Sequence, residues 1–143
     1  MVPHFWEAFT NRANAYASEK EYDRAIEDYT QVIRLEPSNA NAFSSRCWVR
    51  ALAGQSRTAV SDCDEALRLH PDDSSTLDSR GLAQLKMKKF KLAIRDYDAV
   101  LKGSPRTATS LYGRSLAERA IGELAEASAD QVAAIQIDSG VVR

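Results

Sequence analysis

The sequence repeats itself every 34 residues. Its four prolines, Pro3, Pro37, Pro71 and Pro105, keep that step. So do Ala25, Ala59, Ala93 and Ala127; Asp28, Asp62, Asp96 and Asp130; and Arg12, Arg46, Arg80 and Arg114. A large apolar column runs Phe9, Phe43, Leu77, Leu111. So many columns in phase describe an array of one structural unit, not an irregular domain. The repeats fall at about 6–39, 40–73, 74–107 and 108–141, forming one domain over 6–141 with short tails at 1–5 and 142–143.

Each repeat reads as a helix pair. In the first, Phe9, Ala13 and Tyr16 recur at spacings of four and three, and Tyr22, Ala25, Ile26, Tyr29, Val32 and Ile33 do the same. "SEKE" interrupts the apolar face between them. Gly54 and Gly122 stand at the matching turn of the second and fourth repeats, where a left-handed residue ends a helix at little cost. Each proline follows a second helix and precedes the next first helix, stopping one without disrupting the other. Helices of about 14 residues, roughly 20 Å long, are expected. Small residues (Ala13, Cys47, Gly81, Ser115 on first helices and the alanine column on second helices) let the axes approach closely. One pair cannot bury its apolar stripe alone; stacked neighbours can.

These residues resemble the tetratricopeptide repeat (TPR) family, over nearly the whole chain. The family pattern is a small residue in the first helix, then Ala, an aromatic and Pro in the second. Here it is Ala13–Ala25–Tyr29–Pro37 and Gly81–Ala93–Tyr97–Pro105. The second repeat has Cys63 for the aromatic; the fourth has Gln131 there and Ser139 for the proline. "NRANAY" and "AIEDYTQVIRLEP" are similar to bacterial members. The resemblance implies an all-α fold, a right-handed α-solenoid of four helix-turn-helix repeats with about eight helices.

A net charge of −1 argues against nucleic acid or an anionic membrane surface as the main partner. No apolar run reaches the roughly 20 residues of a membrane-spanning helix, and "MVPHFWEAFTNR" is not built as a signal peptide. A cytoplasmic protein is expected. Cys47 and Cys63 make no disulfide framework; they read as a buried apolar pair facing each other within one hairpin, a redox switch being the sharper alternative. The arginine and aspartate columns read as a ladder of ion pairs setting helix register, the alternative being a charged track for a ligand. "KMKKFK", Lys86 to Lys91, reads as a solvated turn. The two histidines, His4 and His70, belong to no metal-spaced cluster, and there is no phosphate loop or nucleophile motif. No enzyme activity, metal or cofactor is expected.

A protein or peptide partner is expected instead. The resemblance places it on the concave surface lined by first helices. The face of those helices opposite the Arg–Asp columns carries Asn14 in the first repeat, Asn41, Ser44 and Trp48 in the second, Asp78 and Leu82 in the third, and Tyr112 and Leu116 in the fourth. Aromatic and apolar side chains ringed by Asn and Ser have the make-up of a binding hot spot. Some family members clamp a chaperone's C-terminal carboxylates with Lys, Asn and Arg. Asn14 fits that pattern, but Thr10 and Ser45 stand where its lysine and second asparagine would be. The ends matter too. No polar cap helix follows Ile137, and Phe5 and Trp6 are claimed by no earlier repeat. The chain therefore reads as a non-enzymatic scaffold, the alternatives being self-association (a homodimer through end helices) or a chaperone or regulatory subunit.

Overall fold

The computed structural model describes residues 5–142; Pro3 and His4 lie outside them. Among the described residues the chain forms eight α-helices and no strand. They are α1 (Phe5–Ser18), α2 (Tyr22–Leu35), α3 (Ala40–Leu52), α4 (Ser56–Leu69), α5 (Ser74–Lys86), α6 (Phe90–Gly103), α7 (Ala108–Ala120) and α8 (Leu124–Ile137). Each repeat is a helix pair, as its periodicity requires. Pro37, Pro71 and Pro105 sit in the turns between repeats. Two compact halves divide the chain, one through Thr76 and one from Leu77.

The turns inside the repeats share one mechanism. Glu21 N–H donates to the Tyr16 carbonyl and Lys20 N–H to that of Ala17; Gln55 and Gly54, Lys89 and Lys88, and Glu123 and Gly122 repeat the two bonds. This crossed pair satisfies the last carbonyls of the first helix and needs a left-handed residue. Gly54 (φ 84°) and Gly122 (φ 88°) supply it freely, whereas Lys20 and Lys88 hold φ 61° with a Cβ present. "KMKKFK" is therefore turn material, with Lys86, Lys88, Lys89 and Lys91 exposed.

In the first half, Ala13, Ala25, Tyr29 and Val49 form a buried cluster, with Tyr16, Tyr22 and Ile26 against it. In the second half, Ala93, Tyr97 and Ala117 form one cluster, and Leu101, Leu111 and Ala134 another. Tyr97 is the tightest fit. A Cβ at Gly81 would lie 2.8 Å from its ring, and one at Gly113 would collide with its ring and hydroxyl. The two glycines leave room for one tyrosine.

Every arginine of the column grips its aspartate through Nε and Nη2: Arg12–Asp28 (2.7 and 2.8 Å), Arg46–Asp62 (2.8 and 2.7 Å), Arg80–Asp96 (both 2.8 Å) and Arg114–Asp130 (2.6 and 2.8 Å). All four aspartates are buried. A carboxylate held bidentately on the buried side of a hairpin fixes register; this is the ladder reading, not the ligand track. Two third arms reach back to the preceding helix. Arg46 Nη1 donates to Thr30 Oγ1 at 3.0 Å, and Arg114 Nη1 to Asp98 Oδ1 at 2.9 Å.

Cys47 and Cys63 face each other within the second hairpin as expected, both fully buried, with Cα atoms 5.4 Å apart. They are joined as a disulfide, which corrects their reading as an unlinked apolar pair. In a reducing cytoplasm the same residues would be two buried thiols.

Candidate functional site

In the first half the proposed binding residues lie on α1 and α3. Asn14, Asn41 and Trp48 are exposed, and Ser44 is half-buried. Trp48 keeps 38% of its surface accessible, so it is not consumed by packing between the first two repeats. Tyr29 is buried on α2, and its hydroxyl donates to Asn14 Oδ1 at 2.6 Å. Burial raises the Tyr29 pKa, keeping it a neutral donor. The Ser44 and Thr76 hydroxyls lie 2.8 Å apart.

A cleft of about 430 Å³ opens between α1 and α3, lined by Trp6, Thr10, Asn14, Tyr29, Asn39, Asn41, Ala42 and Ser45. Apart from the two aromatics and Ala42 its described lining is amides and hydroxyls, with no charged side chain among the described residues. Of the stripe residues expected from sequence, Asn14 and Asn41 line this cleft; Tyr29, which the sequence reading did not include, lines it too. The available signal was chemical: a buried tyrosine hydroxyl needs a partner, and Asn14 stands one helix away.

In the second half the corresponding residues lie on α5 and α7. Leu82 is half-buried and Leu116 is 38% exposed. Two others are partly engaged. Asp78 accepts a hydrogen bond from Ser110 Oγ at 2.5 Å, and burial raises its pKa while hydroxyl donors from Ser110 and Thr109 oppose the rise. Tyr112 packs against the Leu101–Leu111–Ala134 cluster. The stripe is thus most open at Leu116.

Electrostatic tension collects elsewhere in this half. Arg114 meets Asp130, Asp98 (2.9 Å) and Glu118 (3.5 Å). Glu118 is 6% exposed, and among the described residues its Oε2 is buried without a hydrogen-bond partner. Burial, then the neighbouring Asp130, push its pKa up to about 7 against the pull of Arg114. No group of three or more metal-capable side chains occurs among the described residues, and no described helix is long and apolar enough to cross a membrane.

Serial helix pairs with polar and aromatic side chains open on their first helices define a class of helical-repeat protein. Within that class the chain belongs to the tetratricopeptide repeat family, whose α-solenoid fold class it shares. Family models described as tetratricopeptide repeat match residues 6–39 and 79–141, more than half the chain. The unmatched stretch contains the second repeat, with Cys63 at the aromatic position.

Among solved structures, MamA 41-end from Desulfovibrio magneticus RS-1 superposes with a TM-score of 0.83 at 21% identity, covering 97% of this chain and 78% of that one. The Sgt2 TPR domain from Aspergillus fumigatus gives 0.78 at 27% identity, over 85% of this chain and 82% of that one. The second TPR domain of human RPAP3, in complex with the HSP70 peptide SGPTIEEVD, gives 0.75 at 27% identity, over 82% and 98%. At 21% identity the MamA likeness carries the fold and no more. Comparison with curated proteins returns no match.

Proposed function

We propose that this protein is a non-enzymatic interaction module that holds a peptide or helical segment of another protein against its first helices. The observation that carries the reading is Trp48. It is a large aromatic side chain, 38% exposed, on the same helix as Asn41 and Ser44. Aromatic anchors among small polar groups dominate binding energies at such surfaces. A structural neighbour, the RPAP3 domain, was solved with a peptide bound, which supports the same use here.

The recognition chemistry differs from a carboxylate clamp. Thr10, Asn14 and Ser45 line the cleft with neutral donors and acceptors. Such groups suit a main-chain segment with polar side chains; without a lysine or arginine they are poor partners for a terminal carboxylate.

Affinity capture with wild type and Trp48→Ala tests the reading, with circular dichroism on both. The expected result is loss of the captured partner by the variant at unchanged helicity. Equal capture by both chains refutes the groove reading.

A further inference from the structure

The chain makes one kind of interface repeatedly, and α1 and α8, the first and last described helices, expose its two complementary halves. In the first half, Val49 of α3 packs into the cluster of Ala13, Ala25 and Tyr29 from the preceding pair. In the second, Ala117 of α7 packs against Ala93 and Tyr97, and Leu111 against Leu101. Each contact sets the leading face of a first helix against the trailing face of the second helix before it.

On α1 the leading face is uncovered by any described residue. Ala8 occupies the register of Ala42 and Ser110, which are 5% and 0% exposed, yet Ala8 is exposed. Ala15 occupies the register of Val49 and Ala117, both buried, and is exposed as well. Arg12 tells the same story. Its Nε and Nη2 hold Asp28 and its guanidinium lies over the Phe9 and Tyr16 rings, but among the described residues Nη1 makes no hydrogen bond or ion pair, where Arg46 and Arg114 use Nη1 to reach backward.

On α8 the trailing face is bare. Ile135 has the register of Leu101, which is 8% exposed under α7, but is itself 39% exposed. Val132 has the register of Asp98, the acceptor for Arg114, and is 56% exposed. Nothing on α8 repels Arg12: the helix holds Glu126 and Asp130 and no basic residue.

We infer that α1 of one copy docks on α8 of a second copy, continuing between molecules the helix-on-helix interface the chain already makes within itself. The pairing is heterologous, because a leading face fits a trailing face and neither fits itself. It therefore does not stop at a self-complementary dimer but adds copies, ending only if a ring closes. It differs from the homodimer through end helices, which the sequence offered as an alternative.

Sedimentation velocity over a concentration series tests it, with circular dichroism confirming the fold of each variant. Wild type should form species larger than a dimer as concentration rises. Ala8→Arg, bulky at a close-approach position, blocks the head; Val132→Arg, a like charge opposite Arg12, blocks the tail. Each alone should stay monomeric, and an equimolar mixture should form a one-to-one dimer and nothing larger. Val132→Asp supplies the counterpart of Asp98 and should tighten association about fivefold. Nonspecific apolar adhesion predicts the opposite sign for that variant. A monomeric wild type, association of either blocked variant alone, a mixture that stays monomeric, or weakening by Val132→Asp would each overturn the inference. A further helical repeat or a foreign segment as the true occupant would give the first of these results.

Discussion

Replacing Glu118 by Gln should make the protein less sensitive to pH and more stable above neutrality. The carboxyl is almost fully buried, one oxygen has no partner, and Asp130 repels its charge more than Arg114 relieves it. Its pKa rises from an ordinary 4.5 to about 7 in the folded chain. As pH climbs, the unfolded chain loses this proton first, so native stability falls between those two values and is level on either side. Over that window Glu118 removes on the order of 3 kcal/mol. Gln has the same shape, does not ionise, and offers Asp130 an N–H where the protonated acid offers an O–H. Glu118→Gln should therefore match wild type near pH 4.5 and exceed it at pH 8 by up to about 3 kcal/mol, roughly 6–12 °C in Tm. Urea denaturation of both proteins across this range measures the difference directly. If the variant is less stable at pH 8, Glu118 is a charged partner of Arg114 and the reasoning is wrong. An unchanged pH slope would be equally damaging.

Three other substitutions probe the packing. Gly113→Ala drives a methyl group into Tyr97 and should lower stability by about 1–3 kcal/mol in denaturant titration; a neutral result would mean that the ring moves aside freely. Lys88→Gly relieves a left-handed residue that carries a Cβ and should raise the unfolding free energy by up to about 1 kcal/mol in denaturant titration, and no gain would show that the turn is unstrained. The disulfide closes a loop with a sequence separation of 16, so the Cys47→Ala/Cys63→Ala double variant should lose about 2–4 kcal/mol against oxidised wild type. Equal stability would mean that the bond merely joins what packing already holds.

The helix pairs, their turns and the Arg–Asp ladder were legible because a period of 34 aligns chemically matched columns, and a separation of 16 brings each arginine to its aspartate. The same separation joins Cys47 to Cys63, so their meeting could be read while the covalent bond could not. The turn column was half visible: glycine at 54 and 122 announces the left-handed residue, lysine at 20 and 88 conceals it. Gly113 was unreadable as a packing residue because the tyrosine it accommodates belongs to the preceding repeat. Glu118 looked like any helical charge, since only three-dimensional packing reveals which acids are enclosed. For the binding stripe, helical spacing gave the face, but the bonds holding Ser44 and Asp78 depend on hydroxyls 32 residues away.

The tyrosines carry a consequence for how such a chain could be rearranged. Tyr29 shares its surroundings with Ala13 and Ser45, and Tyr97 with Gly81 and Gly113. Each ring is matched in volume to the small residues beside it, so equivalent helices are not interchangeable parts. A graft of α3 into the place of α7 would press a serine into Tyr97; the reverse graft would leave a void beside Tyr29. Side-chain volume thus gives every repeat an address, and the order of the repeats is written in their packing.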